Sequence, residues 1–381
     1  MRLIELQREA DLLAACAAAR REVPDPTLRG WAALLPAEPA LLHEGLRQSG
    51  VSVLRGQDGA LALGSVPQLW SAARRVADAL EDQAARALAT ELARRAGNVE
   101  SPRRPWRLPR SSLPEGRTLV MGVLNVTPDS FSDGGRYAGA EAAIERGLRL
   151  AAEGADLIDV GGESTRPGSE PVPVEEELRR VLPVVRALAR RAGVPVSIDT
   201  SKAEVARAAI EVGAEVVNDV SGLQRDPEMG RLAARTGAAL CLMHIRGTPR
   251  DMQRHAVYAD LLGEVHDELL LTLARAGEAG VLAERIALDP GLGFAKTGEH
   301  NLLLLRRLRE LTQLGRPLLI GASRKSFLGK LSGRPPSERL AGSIGAAVVA
   351  ALHGASILRV HDVAATREAL AVADAVDSFS R

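Results

Sequence analysis

Lysine is nearly missing from this chain. Of 49 basic residues only four are lysine, Lys202, Lys296, Lys325 and Lys330, and the rest are arginine. A sequence that writes its surface cations as arginine keeps a lysine where a compact ammonium matters. Three of the four follow a predicted strand end closely; for Lys202 and Lys330 chance survival is an equal alternative. Cysteine is scarce as well. Cys16 and Cys241 stand far apart and point to neither a disulfide framework nor a zinc cluster. There is no excess of one charge, because a net +1 gives no reason to invoke nucleic acid or a membrane surface. The N-terminus runs through Glu9 and Asp11 without a long apolar stretch, so no signal peptide or membrane span is expected, and a reducing cytoplasm is the default. Low-complexity tracts and heptad runs are lacking too.

What is present is a β/α rhythm. The 381 residues are 46% hydrophobic with a mean hydropathy near zero, which describes a globular protein with ample core, long for one domain. Helical-looking runs stop at Gly154, Gly193, Gly213, Gly237, Gly280, Gly315 and Gly354, each where a left-handed cap belongs. Short apolar runs follow and end in polar residues: Leu157–Val160 at Gly161-Gly162-Glu163-Ser164-Thr165-Arg166, Val196–Ile198 at Asp199, and Val216-Val217 at Asn218-Asp219. Leu240–Leu242 ends at Met243-His244, Ile286–Leu288 at Asp289-Pro290-Gly291, Leu318–Ile320 at Gly321-Ala322-Ser323-Arg324-Lys325, and Ile357-Leu358 at Arg359-Val360-His361-Asp362. With Leu119–Leu124 ending at Asn125 there are eight strands, which predicts a (β/α)8 TIM barrel over residues 117–381. Its strand C-termini would bring these polar tails around one cavity.

Residues 1–100 predict a small α/β appendage. Val51–Leu54 and Ala60–Leu63 flank Gln57-Asp58-Gly59 as a hairpin, and a helical pattern runs from about Pro67 to Arg95. His43 is alone there and reads as structural. Residues 101–116, with prolines and arginines interleaved, read as a linker, and Trp106–Leu108 is expected to pair with Arg117–Leu119 across the barrel's bottom.

The strand-end residues fall into two groups. Asp199, Asn218 and Asp289 suit a flat heterocycle that shows adjacent N–H groups. Arg166, Lys325, Arg359 and His361, with Asn125 and Ser323, suit an anion, and strands seven and eight of such barrels often hold phosphate. Blander readings stand beside these. Asp219 and Asp362 fit helix N-caps, Ser201 before Lys202-Ala203-Glu204 fits a capping box, and Cys241 fits a core position. No His-x-His follows strand one, where a zinc hydrolase of this fold would need it. Lys325 beside Arg324 could form a Schiff base, as in class I aldolases. Two long polar loops, Asn125–Gly135 and Gly161–Gly168, read as lids.

Those two loops, with Gly321–Ser326, Arg359–Val363, Asp289–Phe294 and Lys296 through His300-Asn301, resemble the dihydropteroate synthase family over residues 117–377. The resemblance implies condensation of 6-hydroxymethyl-7,8-dihydropterin diphosphate with p-aminobenzoate, by a dissociative route in which the C–O bond breaks first. It implies that Asp199, Asn218 and Asp289 hold the pterin, with Met243 beside it and Arg359 stacked on its face. An arginine plane can do this stacking in a chain that is 2% aromatic. Asn125 would bind Mg²⁺, which with His361, Arg359 and Arg166 would hold the diphosphate. Lys325 would bond the pterin and line the entry of p-aminobenzoate, with Thr165, Pro167, Phe294 and Ser326 completing that pocket. A homodimer through late helices is also implied. Two rival readings are a catalytically silent pterin-binding paralogue and the pterin domain of a corrinoid-dependent methyltransferase, which has no use for the Ser323–Lys325 cations.

Overall fold

The computed structural model describes residues 1–6, 15, 30–36, 40–55, 59–126, 136–166 and 168–379. They form two compact units, Met1–Pro102 with Arg309–Gly315, and Arg103–Leu308 with Arg316–Arg381.

The first unit holds a four-stranded antiparallel sheet of β1 (Arg2–Leu6), β2 (Gly30–Pro36), β3 (Ser52–Arg55) and β4 (Gly59–Gly64), in the order β1-β2-β4-β3. The expected hairpin is there, with Val53 opposite Ala62 and Leu54 opposite Leu61. Helices α1 (Ala40–Gln48), α2 (Val66–Ala79) and α3 (Gln83–Glu100) bury Leu42, Leu46, Leu69 and Leu92 in one aliphatic core. The single helix read from Pro67 to Arg95 is two helices. Leu80 turns extended at ψ 132°, and Asp82 starts α3 by accepting from Ala85 N at 2.7 Å, while Ser65 and Gln68 form a capping box on α2. His43 is buried, with Nε2 bonded to the Pro36 carbonyl at 2.9 Å, a structural role.

The second unit is the barrel. Its parallel strands are β5 (Leu119–Asn125), β6 (Leu157–Gly161), β7 (Val196–Asp199), β8 (Val216–Asp219), β9 (Ala239–Met243), β10 (Ile286–Asp289), β11 (Leu319–Ile320) and β12 (Ile357–Val360). They pair in the order β10-β9-β8-β7-β6-β5-β12-β11, and one parallel bridge between Leu288 and Leu318 joins the two edges. The eight strands thus form the expected TIM barrel. All seven punctuating glycines have positive φ, between 69° and 122°, so the backbone there takes the conformation that costs other residues most.

Two local expectations fail. Trp106–Leu108 and Arg117–Leu119 form no hairpin. Instead Trp106 and Leu108 are buried against Leu119, Leu157 and Ala287, the Trp106 indole N–H donates to the Arg285 carbonyl at 3.0 Å, and Arg107 N donates to the Glu284 carbonyl at 3.0 Å. Filling the barrel mouth with an indole removes more apolar surface from water than a surface hairpin would. Ser201 does not cap the helix α6 (Ala203–Glu211). Its Oγ accepts from Arg225 Nη1 at 3.1 Å, and the open Ala203 N–H is taken at 2.8 Å by Asp226, a charged and stronger acceptor.

Candidate active site

Alternate residues of a strand share a face. Inside the barrel the lower row is apolar: Leu157, Val216, Cys241, Ala287 and Ile357 belong to one buried cluster. Two residues further along the same strands come Asp159, Asn218, Met243, Asp289 and Arg359, and Asp199 ends β7 two residues after buried Ser197. The interior therefore turns from hydrocarbon to polar within one layer, at the C-terminal end.

Arg359 organises that layer. Its Nε donates to Asp159 Oδ2 at 2.6 Å and its Nη2 to Asp199 Oδ2 at 2.7 Å, while Asn218 Nδ2 donates to the same Asp159 oxygen at 2.9 Å. The other oxygen of each aspartate, Oδ1, is buried with no hydrogen-bond partner. Burial pushes the Asp199 carboxyl up to about 7, against the pull of Arg359. Asp159 is fully buried and was not singled out from sequence. The signal was a carboxylate inside the apolar run Leu157–Val160, on the inward parity.

Asp289 ends β10 in the same layer, within electrostatic reach of Lys325 and Arg359. Its Oδ1 accepts from Gly291 N at 2.7 Å; burial raises its pKa, and Lys325, Lys296 and Arg359 oppose the rise. A carbon placed on Gly321 would lie 3.9 Å from Arg359 Cβ and 4.0 Å from Lys325 Nζ, so these two cations flank one glycine gap. Lys325 donates to the Leu292 carbonyl and lies 4.7 Å from the centre of the Phe294 ring. Burial lowers it to about 8, which leaves it mainly protonated at neutral pH. Arg324, just before it, holds φ 59° and pairs with Asp362 at 2.6 Å, so Asp362 is an ion-pair partner as well as a helix start. Asp219 accepts from Ser221 and Leu223 N–H groups and fastens a turn.

His361 bonds Ser323 Oγ through Nδ1 at 3.0 Å. Burial, then Arg359, Arg324 and Arg166, bring it down to about 4, so it is a neutral imidazole rather than one of the cations. Asn125 closes β5, and its Oδ1 lies 3.8 Å from the carbon position that a side chain at Gly161 would take, beside Asp199. Met243 is buried with Ile245, Met252 and Ala295, against Phe294. Thr165 is half-buried, and Arg166 and Ser326 are exposed, the last opening the helix Ser326–Ser332. Among the described residues no side-chain hydrogen bond or ion pair ties Thr165 or Ser326 to Asp199, Asn218, Asp289, Lys325 or Arg359. Pro167 and the loop Thr127–Gly135 lie outside the described residues.

A second polar chain lies behind Asp289, and sequence reasoning passed over it. Lys296 is 3% exposed; its Nζ donates to His244 Nδ1 at 2.9 Å and to the Phe294 carbonyl at 3.0 Å. His244 Nε2 bonds Glu268 at 2.9 Å, and Arg246 pairs with Glu268 and lies 4.1 Å over the Tyr258 ring. Burial lowers Lys296 to about 7 and His244 to about 4.

Among the described residues no group of three or more His, Cys, Asp or Glu could hold a metal ion. Asn125 offers one neutral carbonyl oxygen at the rim. That donor fits a Mg²⁺ that keeps most of its ligands as water and substrate phosphate oxygens.

Residues 121–361 match the family described as pterin binding enzyme. The chain belongs to that family of enzymes. Its relatives there are dihydropteroate synthases, which are transferases. The one from Synechocystis sp. is 50% identical over 261 residues, 68% of this chain and 90% of that protein. The Yersinia pestis dihydropteroate synthase, solved with a sulfonamide drug, superposes with a TM-score of 0.68 at 46% identity, over 71% of this chain and 98% of that one. The Xanthomonas albilineans dihydropteroate synthase with 4-aminobenzoic acid gives 0.65 at 50% identity, over 69% and 94%.

Proposed function

We propose that this enzyme joins 6-hydroxymethyl-7,8-dihydropterin diphosphate to p-aminobenzoate, giving 7,8-dihydropteroate and diphosphate. The observation that supports the reading is the strand-end layer in which Arg359 links Asp159 and Asp199, Asn218 donates to Asp159, and Asp289 interacts with Lys325. Catalysis is assigned to 117–381, with 101–116 as a linker and 1–100 as a small α/β appendage to which no role is assigned.

The spare carboxylate oxygens of Asp159 and Asp199, with Asp289 and the Asn218 amide, accept from the N–H edge of the pterin. Because Nε and Nη2 of Arg359 are engaged by carboxylates, its plane is fixed and its face is offered to the ring. Lys325, protonated, donates to an acceptor of the pterin. Rupture of the C–O bond puts positive charge on the ring and negative charge on the leaving diphosphate. Three aspartates already surround the first, and Arg166 with the neutral N–H of His361 receives the second. Magnesium dependence is general in the family; held by Asn125 and the diphosphate, the ion would neutralise charge on the leaving group. The arylamine nitrogen then attacks from the side of Phe294, Thr165 and Ser326, forming the C–N bond and giving up one proton to solvent, while closure over the site limits hydrolysis of the cation.

Exposed apolar residues on the helices Leu340–Leu352 and Val363–Phe379, among them Val349, Leu352, Val372 and Val376, support a homodimer. No described helix is long and apolar enough to cross a membrane; the cytoplasm is proposed as the enzyme's compartment. Purified protein given both substrates and Mg²⁺ should release diphosphate. Lys325→Ala should lower turnover by about 10²-fold while remaining folded. A folded wild-type protein that releases none refutes the reading.

A further inference from the structure

We propose that Lys202 is a positioning residue that pins both ends of the loop carrying Thr165 and Arg166, and so shapes the second substrate pocket. This rests on the reading above, in which that loop covers p-aminobenzoate and diphosphate. Lys202 stands just after β7 and before α6, with its side chain 14% exposed. Its Nζ donates to three oxygens: Glu163 Oε2, Glu177 Oε2 and, at 2.8 Å, the Val172 carbonyl. Glu163 stands in the first turn of the Gly161–Gly168 loop, ahead of Thr165 and Arg166, and Val172 lies four residues past its end, so one nitrogen holds the entry and the exit of this stretch together. Glu177 fixes the same nitrogen to the helix α5 (Val174–Arg191), whose Arg180 Nη1 also donates to the Gly162 carbonyl at 2.8 Å. Arg225 approaches the far oxygen of Glu163 at 3.8 Å.

The residue type follows from this geometry. Three acceptors around one point need three N–H bonds diverging from one atom, which an ammonium has and a planar guanidinium fork lacks. In a chain that otherwise writes cations as arginine, that demand accounts for this lysine. The loop is compact above its pinned base. Ser169 Oγ lies 2.5 Å from the Ser164 carbonyl and 2.8 Å from the Arg166 carbonyl, which share its one O–H, and Gly168 N donates to Pro249 O at 3.1 Å. With its ends held, the loop has less entropy to lose when it closes.

The test uses the full chain with Lys202→Met, Lys202→Arg and the pair Lys202→Met/Glu177→Gln; the pair removes the buried carboxylate that the single change would strand. Deuterium uptake of 163–172, pterin affinity and steady-state kinetics are measured. All three variants should exchange faster in that segment and show a KM for p-aminobenzoate raised ~10- to 100-fold, with pterin affinity unchanged. Arginine should not rescue. Wild-type exchange and KM in the folded double variant would overturn the proposal, and so would a parallel loss of pterin affinity, which would make Lys202 a support of the pterin pocket. If the wild type binds the pterin but fails to turn over, the functional reading fails, and deuterium uptake still decides whether the clamp exists.

Discussion

The inward-facing aspartates at the C-terminal mouth of the barrel are bonded less completely than the carboxylates at its N-terminal mouth. At the N-terminal mouth both oxygens of buried Asp156 and Glu215, and of half-buried Asp374, are used. Asp156 accepts from Val120 N at 2.8 Å and from Arg117 and Arg367, Asp374 accepts from Thr118 N and Oγ1 at 3.0 and 2.7 Å, and Glu215 accepts from Arg110 N, Ser111 N and Ser111 Oγ. At the C-terminal mouth Asp159 and Asp199 each keep an acceptor with no partner. A saturated carboxylate stabilises the fold, whereas an unsaturated buried one costs stability and is left open for a ligand. Charge alone does not separate the two kinds; for the inward-facing aspartates of the strand-end layer, completeness of hydrogen bonding does.

The largest expected effect lies at the saturated mouth. Asp156→Ala strands Arg117 and Arg367 and should cost about 3–5 kcal/mol in urea unfolding, with pterin affinity intact. Loss of affinity in a folded Asp156→Ala protein would break the contrast. At the open mouth, Asp289→Asn replaces an acceptor with a group that can donate. It should weaken pterin binding by about 2–4 kcal/mol in calorimetry while the unfolding midpoint hardly moves. Unchanged pterin affinity would remove Asp289 from the ring contact.

The smallest effect is a pH dependence. The Asp199 carboxyl titrates near 7, above the usual carboxylate range, and N–H donors on a ligand favour its ionised form. Pterin affinity should therefore fall as pH drops below about 7, with protons released on binding. Because its folded pKa is raised, the stability Asp199 contributes is complete below about 4 and lost as pH rises through about 7. An affinity that is flat between pH 6 and 8 would separate Asp199 from the ring.

Much of this was legible in the sequence, for identifiable reasons. Glycine caps and strand ends are local, and Gly237 at φ 71° ends its helix as its position implied. Asp199, Asn218, Asp289 and Arg359 lie at strand termini, where topology alone brings them together. Asp159 was hidden because one carboxylate in an apolar run looks like an interruption until its strand's register is known. The Lys296–His244–Glu268 chain was hidden because it joins three segments far apart in sequence. Ser201 misled because a capping pattern says nothing of Asp226, a competitor 25 residues on. The role of Lys202 needed the Val172 carbonyl, a group that sequence does not mark.

One joint of the ring is thinner than the others. Strand β10 meets its neighbour through the single Leu288–Leu318 bridge, whereas β5 and β6 share five aligned residues. Asp289 ends one side of that seam, and Lys325 follows shortly after the other. A pterin held by both would act as a rivet across the weakest staves, so occupancy of the cavity and resistance of the hoop to opening are mechanically one property.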